Sequence, residues 1–455
     1  MTRYEIPDYC SKVIRLINEH GFEAYVVGGA VRDLISGKTP HDYDMASSAR
    51  PEQIIEIMKE AGLRTIIETG LKHGTVTVIS DEELLEITTF RADGDYSDSR
   101  HPDSVTFSAD IEEDVKRRDF TINALYLDAD GNVKDSVGGV KDIEDKIIRA
   151  VGDPEKRFSE DALRIMRGLR FASQTSATID PATKEAMYNK RELLREISAE
   201  RIKVELTGLL CGRDASRVIR ENLDILSVII PELKVMEGFD QKSDYHHLDL
   251  LEHTLCVLDN IPLGEDGKRD EPLAYAAVLH DIGKPRAFRI GEDGKGHMEK
   301  HPQYGVEIAQ EVAAKLKFSN ELSENVTELV RLHDVFVKPD EKRVHRLMCR
   351  YPSDLLEMLF VLQRADILAH SPKGRKREEL LDEIIAIREE LLKKEVPLAV
   401  KDLAIDGNDL ISLGVRPGPR MGQILNTLLE KVVAGEIKNN CEELVTFVQE
   451  SLDKF

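Results

Sequence analysis

The stretch that decides the fold is VVGGAVRD at residues 26–33, followed by HDYD at residues 41–44. The apolar residues 24–27 predict a short buried strand, and the glycine pair after it lets the backbone approach a bulky group. Asp42 and Asp44 are expected on a second short strand, where residues two apart point to the same face. Two carboxylates beside exposed backbone N–H groups suit Mg²⁺ with a phosphate chain, because Mg²⁺ leaves coordination positions for phosphate oxygens.

Neither half of this pattern is specific by itself, since a glycine pair usually marks a turn and Asp-x-Asp usually lies in a solvated loop. The stretch also lacks the G-x-G-x-x-G spacing of a dinucleotide fold and the ending of a P-loop. The combination resembles the nucleotidyltransferase superfamily that includes DNA polymerase β, and within it the tRNA nucleotidyltransferases and their poly(A) polymerase relatives. The resemblance implies a catalytic Mg²⁺ site at Asp42 and Asp44. It also implies nucleotide contacts from Gly28, Gly29 and Arg32.

The composition describes an ordinary soluble, helix-rich protein. The chain has 455 residues, 41% hydrophobic and 33% charged, which predicts roughly three domains of about 150 residues. No apolar run approaches the length of about 18 residues that spans a membrane, and the N-terminus has no signal-peptide core. The five cysteines are scattered and unpaired in sequence, so we expect a cytoplasmic protein without a disulfide framework or a zinc site.

The net charge of −22 argues against bulk attraction to nucleic acid. If RNA is the substrate, local basic surfaces must bind it. Basic clusters occur at residues 157–170, 191–203, 373–377 and 416–420. A solvated surface is the usual role of such a cluster, so charge alone decides nothing.

Residues 1–150 are predicted to form a catalytic head in which strands and helices mix. An amphipathic helix is expected at residues 51–61, and strands at 74–80 and 84–90, with Glu86 in the second strand. In a mixed sheet Glu86 could sit beside the aspartate pair, and the resemblance implies that it is a third catalytic carboxylate. An exposed glutamate without a metal role is the alternative.

Two further segments of the head carry polar residues. Residues 94–102 are rich in turn residues and predict a mobile surface loop, which resembles the loop that full CCA-adding enzymes keep. Residues 117–124, RRDFTINA, resemble the segment of the family that contacts the sugar and base of the nucleotide. That resemblance implies nucleotide contacts from Arg118, Asp119 and Asn123.

Residues 151–238 are predicted to be a helical neck and body. Ser159 is the expected N-cap of a helix whose first turn carries Glu160 and Asp161. Arg164 follows four residues after the first acid and three after the second, so it neighbours both on a helix. An exposed ion pair would be the ordinary interpretation of this spacing.

The same segment matches the Glu-Asp-x-x-Arg motif with which class II tRNA nucleotidyltransferases recognise the incoming base. The resemblance implies that Asp161 and Arg164 select the base and that Arg167 also binds the nucleotide. Cytosine and adenine both present an amino donor beside an unprotonated ring nitrogen, whereas uracil and guanine present the reverse. Because Asp161 only accepts and Arg164 only donates hydrogen bonds, the pair fits cytosine and adenine.

A second constellation lies in residues 239–392, where histidines and aspartates are spread over helical sequence around LHDIGK at residues 279–284. A lone buried histidine is usually a core residue, but a His-Asp pair with distant partners resembles the HD phosphohydrolase superfamily. By that resemblance a divalent metal of unknown identity is held by His253, His280, Asp281 and Asp366. A second metal or a phosphate would contact His301 and His333. The pattern also includes His247.

The sequence therefore predicts an α+β fold. A polymerase β-like head at 1–150 precedes an all-α neck and body at 151–238, a helical HD domain at 239–392 and a helical tail at 393–455. By resemblance the tail supports the tRNA body, although a generic helical hairpin is the alternative.

The predicted function is addition of CCA to tRNA from CTP and ATP with release of diphosphate, together with an HD phosphohydrolase activity. No membrane or DNA partner is implied, and no oligomeric state follows. A poly(A) polymerase, or an enzyme that adds only CC or only A, is the rival. An alarmone synthetase–hydrolase carries its HD domain first, the reverse of the order here. A non-catalytic RNA-binding scaffold is disfavoured by the intact Asp42 and Asp44.

Overall fold

The computed structural model describes residues 3–66, 74–93 and 105–451. Its contacts define two compact units. The first comprises Met1–Lys234, Leu263–Glu271 and Ala314–Lys317, and the second comprises Val235–Pro262, Pro272–Ala313 and Phe318–Phe455. The predicted division into four domains at residues 150, 238 and 392 stays a prediction. The predicted loop at residues 94–102 lies outside the described residues.

Strands are short and concentrate in the first unit. They are β1 (Ala24–Val27), β2 (Met45–Ser47), β3 (Arg64–Ile66), β4 (Thr75–Ser80), β5 (Glu83–Thr89), β6 (Arg91–Asp93), β7 (Val105–Phe107), β8 (Tyr126–Leu127), β9 (Val133–Lys134), β10 (Ile147–Ile148), β11 (Thr178–Ile179), β12 (Arg289–Ile290) and β13 (Gly296–His297). Seven of them form one sheet in the order β3-β4-β5-β2-β1-β8-β9. Within it β2 and β5 run parallel, with Met45 opposite Ile87, and the other neighbours are antiparallel.

Helices account for most of the remaining chain. From the N-terminus they are α1 (Asp8–Glu19), α2 (Gly29–Ile35), α3 (Pro51–Glu60), α4 (Ile111–Arg117), α5 (Gly139–Glu144), α6 (Pro154–Glu160), α7 (Leu163–Thr175), α8 (Pro181–Lys190), α9 (Ala199–Leu210), α10 (Ala215–Glu221), α11 (Leu223–Leu226) and α12 (Glu232–Met236). They continue with α13 (Leu250–Asn260), α14 (Glu271–Leu279), α15 (Lys284–Ala287), α16 (His301–Lys315), α17 (Asn320–Leu332), α18 (Glu341–Arg350), α19 (Ser353–Ala369), α20 (Arg377–Lys393), α21 (Gly407–Ser412), α22 (Pro419–Val433) and α23 (Cys441–Ser451). None of the described helices has the length and apolar composition needed to cross a membrane.

The α+β prediction is confirmed, and the strongest apolar patterns were placed correctly. Strand β1 covers the predicted residues 24–27, and α3, β4 and β5 match the expected helix and strands within two residues. One core of the first unit packs α1 and α3 against the sheet through fully buried side chains such as Ile14, Val26 and Ile54. Burial of such apolar area is the main stabilising contribution.

The prediction that Asp42 and Asp44 lie on a strand is wrong. Strand β2 begins at Met45, and both aspartates precede it outside any helix or strand. The backbone carbonyl of Asp44 still accepts a hydrogen bond of 2.9 Å from the Val27 N–H at the end of β1. Aspartate is depleted in strands and the preceding residue 40 is proline, so regular pairing starts only at the apolar residues.

The predicted helix start at Ser159 is also wrong, since that residue lies in the last turn of α6. The helix begins instead at Pro154, with the Asp153 side chain accepting a hydrogen bond of 3.0 Å from the Glu155 N–H. An N-cap aspartate followed by proline at the first position is the stronger start signal. The chain then turns extended at Asp161, whose side chain accepts from the N–H of Leu163 at 3.0 Å as α7 begins.

In the second unit, α13 packs against α19 and α19 packs against both α17 and α20. The C-terminal helices have an apolar core of their own, formed by Leu410, Ile424, Leu428, Leu444 and Val448, each fully buried. The C-terminal segment is therefore helical, with α22 and α23 sharing this core, and its support of the tRNA body stays a prediction.

Candidate nucleotide site and candidate metal centre

The structure brings together the carboxylates that the sequence placed in the active site. Asp44 lies directly before β2, and Glu86 lies at the matching position of its parallel partner β5. Partial burial raises the pKa of the Asp44 carboxyl, and the charges of Asp42 and Glu86 raise it further, while Arg118 opposes them. Such a cluster of like charges is relieved by a divalent cation, so these residues fit Mg²⁺.

The glycine pair brings the backbone close to two arginines. Gly28 has a φ of +71°, a conformation that favours glycine, and it precedes the first residue of α2. A Cβ atom at Gly28 would lie 3.8 Å from Nη1 of Arg118. At Gly29 it would lie 3.6 Å from Nη2 of Arg32. The turn thus places two guanidinium groups beside a backbone without side chains.

Both arginines are held in place by buried partners. Arg118 donates to the Asp114 carboxylate at 3.0 Å and to the Tyr126 hydroxyl at 2.8 Å, and the Asp114 side chain has no solvent exposure. Arg32 donates to the side-chain oxygen of Asn123 at 2.8 Å. The two cations are therefore positioned before any ligand binds.

Asp114 provides a test of this support. Burial opposes its charge, but Arg118, Arg117 and the Tyr126 hydroxyl hold the pKa of its carboxyl below the usual range. Replacing Asp114 with asparagine is expected to lower the free energy of unfolding at pH 7 by about 3 kcal/mol, because two buried arginines lose their counter-charge. The contribution of a carboxylate with a lowered pKa is complete above its ordinary pKa of about 3.9 and is lost as the pH falls through the native value.

The measurement is the free energy of unfolding in urea for the wild type and the Asp114→Asn variant. The difference between the two free energies should narrow as the pH falls below about 4. The control is Glu113→Gln in the same helix, where the side chain is 40% exposed and pairs only with Lys116 among the described residues. It should change the unfolding free energy by less than about 0.5 kcal/mol. An equal effect of the two substitutions would contradict a specific role for Asp114.

Asp119 connects the head segment to the first helix of the neck. Its carboxylate accepts from the Phe120 N–H at 2.7 Å, from Asn123 at 3.3 Å and from Arg167 at 2.7 Å. Although burial opposes the charge, Arg167 lowers the pKa of this carboxyl. Because Arg32 binds Asn123 as well, one continuous network joins four residues that the sequence assigned to the nucleotide.

The side chains of Asp161 and Arg164 do not pair with each other among the described contacts. Arg164 is 8% exposed and donates to Glu160 at 2.9 Å and to the carbonyl oxygen of Arg117 at 2.9 Å. Asp161 instead pairs at 3.0 Å with Arg201 of α9. The sequence placed Arg201 only in a general basic cluster, since a partner 40 residues away leaves no periodic signal.

The second unit contains a compact cluster of buried histidines and aspartates. His253 Nε2 lies 3.0 Å from Asp366 Oδ1, and His280 Nε2 lies 3.1 Å from Asp281 Oδ2. All four predicted ligands are at most 6% exposed. The sequence placed His253 and Asp366 on separate helices far from the His280-Asp281 pair, and the structure brings the four residues together.

Asp281 faces two sets of ligands. Its Oδ2 atom lies 3.4 Å from His253 Nε2, whereas its Oδ1 atom lies 3.4 Å from His301 Nε2 and 3.5 Å from His333 Nε2. Three groups of side chains in this cluster have the spacing of a metal site, and two of them share Asp281. The geometry suits a carboxylate that bridges two cations.

Three of the histidine rings are oriented by the backbone. The Nδ1 atoms of His280, His301 and His333 each lie 2.7 to 2.9 Å from the carbonyl oxygen three residues earlier. A proton on Nδ1 satisfies that carbonyl and leaves Nε2 unprotonated toward the cluster. The buried Nε2 of His280 has no well-oriented hydrogen bond within the described residues. Imidazole and carboxylate donors of this kind fit a transition metal or Zn²⁺.

Sequence reasoning assigned no role to three residues of this cluster, although Lys284 belongs to the LHDIGK segment. Lys284 Nζ lies 2.6 Å from Asp281 Oδ2 and 3.2 Å from His246 Nε2. His370 Nδ1 lies 3.6 Å from Asp366 Oδ1, one helical turn further along α19, a spacing that could have revealed it. His247, which the sequence pattern included, is exposed, and its neighbour His246 occupies the inward position.

A pocket of about 340 Å³ opens onto this cluster. Besides metal-ligand candidates, its lining includes the cationic side chains of Lys284, Lys300 and Arg377. Burial and the neighbouring Lys284 lower the pKa of His246, also in the wall, to about 2, so that this ring is neutral. Cations beside a carboxylate–histidine cluster provide a place for an anionic group such as a phosphate.

Comparison with known protein families supports the fold of the N-terminal head. Family models match residues 24–149 (poly A polymerase head domain), 178–236 (probable RNA and SrmB-binding site of polymerase A) and 303–448 (putative tRNA nucleotidyltransferase domain 2). The fold and these matches define the class, which is a nucleotidyltransferase with a poly(A) polymerase-type head.

Relatives match over nearly the whole chain. The CCA-adding enzyme of Lactobacillus delbrueckii subsp. bulgaricus is 35% identical over 437 residues, 96% of either chain. That of Lactococcus lactis subsp. cremoris is 35% identical and covers 97% of this chain and 96% of its own. The crystal structure of the Bacillus stearothermophilus CCA-adding enzyme in complex with CTP has a TM-score of 0.70 and 27% identity, over 98% of this chain and 97% of that one. The chain belongs to the CCA-adding enzyme family.

Proposed function

We propose that the protein adds CCA, without a nucleic-acid template, to the 3′ end of tRNA from CTP and ATP and releases diphosphate at each step. The observation that carries the proposal is the cluster of Asp42, Asp44 and Glu86 beside a glycine turn flanked by two fixed arginines. The names of the relatives support the substrate. The five free cysteines agree with a cytoplasmic enzyme.

In this proposal the 3′-oxygen of the tRNA attacks the α-phosphorus of the nucleotide and diphosphate leaves, so one phosphoester bond replaces one phosphoanhydride bond. Asp42 and Asp44 would hold Mg²⁺, which when bound lowers the charge on the triphosphate and activates the 3′-hydroxyl. Arg32 and Arg118 bind and orient the nucleotide. Catalysis then consists of positioning and electrostatic stabilisation.

We assign selection of the base to Asp161 and Arg164. The direct test is to change the hydrogen-bond donors and acceptors that these side chains present to the base. Replacing Asp161 with asparagine introduces a donor where only an acceptor stood. Discrimination of CTP and ATP against UTP and GTP should fall by about 10- to 100-fold, the range of a bidentate contact. Steady-state kcat/KM with each nucleotide gives the ratio.

Arg201→Ala is the matched control, because it removes the partner of Asp161 and leaves the carboxylate. It should retain most of the discrimination. If both variants select bases as the wild type does, Asp161 has a structural role in joining α7 to α9 and the assignment is wrong.

Addition of the terminal A is assigned to residues 95–101 from the sequence alone. The reason is that a nucleotide pocket that first accepts C and then A must change shape between the two additions. Deleting these residues should leave C addition near the wild-type rate and slow terminal A addition by at least about 100-fold, a loss typical of misplaced substrates. Single-turnover assays on tRNA ending in C and in CC separate the two steps. Equal loss of both steps, or of neither, would contradict this role.

The rival functions differ in their nucleotide requirement. A poly(A) polymerase would incorporate ATP on arbitrary RNA without CTP, and an enzyme of partial activity would stop after CC or add only A. The proposed enzyme should require CTP before ATP on a tRNA that lacks CCA and should ignore an unrelated RNA. Incubation of each RNA with single nucleotides and with pairs distinguishes these cases.

We further propose that the second unit is an HD-type phosphohydrolase. His253, His280, Asp281 and Asp366 would hold one divalent metal, and Asp281 with His301 and His333 would hold a second. The support is the orientation of the histidine rings and the two-sided position of Asp281. The cations of the pocket would bind the phosphate of the substrate.

A further inference from the structure

Helix α18 carries a basic stripe on its exposed side. Its buried side, with Val344 and Met348, packs against α20 and α22. On the other side Lys342, Arg346 and Arg350 are exposed and follow one another at intervals of four residues. Residues four apart lie on the same helix face, so the three cations form one line. This occurs in a chain that has 85 acidic and 63 basic residues.

Neighbouring carboxylates only partly neutralise the stripe. Glu436, after α22, lies near three cations, since Lys431, Lys342 and Arg346 all lower the pKa of its carboxyl. Asp340, the N-cap residue of α18, pairs with Arg343 at 2.7 Å, and Arg346 also lowers the pKa of its carboxyl. Two carboxylates therefore face four cations, which are Lys342, Arg343, Arg346 and Lys431. A positive surface remains although the whole chain is acidic.

The arrangement is unfavourable for the helix itself. Like charges four residues apart repel each other, which applies to Lys342 with Arg346 and to Arg346 with Arg350. Lys342 also stands in the first turn, where the helix dipole disfavours a cation. Folding alone gives no reason for this pattern, and local rules are commonly broken at functional sites.

We infer that this stripe binds the phosphate backbone of tRNA, so that α18 contributes to substrate binding apart from the nucleotide site. The inference rests on the proposed function for the identity of the RNA. A line of cations matches a line of phosphates, and each contact releases counterions, which makes binding dependent on salt. Arginine suits this role, because its guanidinium can donate two hydrogen bonds to one phosphate.

The test measures binding of a tRNA lacking CCA by fluorescence anisotropy over a range of salt concentrations, without nucleotides. Lys342→Glu and Arg346→Glu should each raise the Kd at least about fivefold. Each should also reduce the slope of log Kd against log salt concentration by the amount expected for the loss of about one phosphate contact or more. Arg346→Lys should retain most of the affinity. The matched control is Lys59→Glu, an equal charge reversal on the exposed side of α3.

Thermal unfolding separates binding from folding. Arg346→Glu replaces two repulsions along the helix with attractions and loses the attractions to Glu436 and Asp340, so its midpoint should stay close to that of the wild type. Loss of affinity no larger than that of Lys59→Glu would overturn the inference. Because binding is measured without catalysis, failure of the wild type to add CCA would count against the proposed function only.

Discussion

Replacing Asp42 or Asp44 with alanine is expected to lower nucleotide addition by at least about a thousandfold while the protein stays folded and still binds tRNA. The reason is the arrangement of the site, in which Asp42, Asp44 and Glu86 raise the energy of one another's charges until a cation binds. Loss of either aspartate removes a metal ligand and leaves the core of the sheet untouched. The measurement is single-turnover incorporation of CTP into a tRNA lacking CCA.

The control for this experiment is Asp130→Ala, which removes an exposed carboxylate between β8 and β9 that pairs with Arg15. Its activity should equal that of the wild type. Because each substitution removes one of several like charges and so relieves repulsion, the Asp42 and Asp44 variants should unfold at the same temperature as the wild type or slightly above it. Normal C addition by either variant would remove the metal assignment.

Replacing His280 with alanine or Asp281 with asparagine is expected to abolish metal binding and phosphohydrolase activity in the second unit while leaving C and A addition intact. Asp281 lies within 3.5 Å of four histidine nitrogens, so its loss affects both metal positions. Affinity for Mn²⁺ or Ni²⁺, measured by calorimetry, should fall by at least about 100-fold. Hydrolysis of 2′,3′-cyclic phosphates and 2′-nucleotides gives the parallel readout.

The neighbouring histidines supply a matched pair of controls. His247→Ala changes an exposed residue outside the cluster and should alter neither metal affinity nor hydrolysis. His246→Ala changes a pocket residue in contact with Lys284 and should reduce hydrolysis. If the wild type binds no divalent metal and hydrolyses no phosphate ester, the cluster is structural.

Sequence reasoning succeeded where a pattern was local and strong. Strand β1, the glycine pair and α3 carry apolar or conformational signals within a few residues, and the structure places them as expected. It failed for β2 and α6, where the starting residue depended on competition between neighbouring signals. Aspartate and proline delayed β2, and the Asp153-Pro154 pair started α6 earlier than Ser159.

Contacts between residues that are distant in the chain could not be predicted from the sequence. The ion pair of Asp161 with Arg201 and the contact of Arg32 with Asn123 join residues 40 and 91 positions apart. In the metal cluster, motif spacing identified six residues, but His246 and Lys284 meet only because their segments pack together. Such contacts carry no periodicity along the chain.

The measurement that tests the central claim most directly is sequencing of the 3′ ends formed on a tRNA lacking CCA, incubated with purified protein, Mg²⁺, CTP and ATP. The account predicts that the extended molecules end in CCA and that none grows further. With CTP alone they should end in CC. Ends made of A alone, ends that stop at CC when ATP is present, or no extension at all would contradict the account.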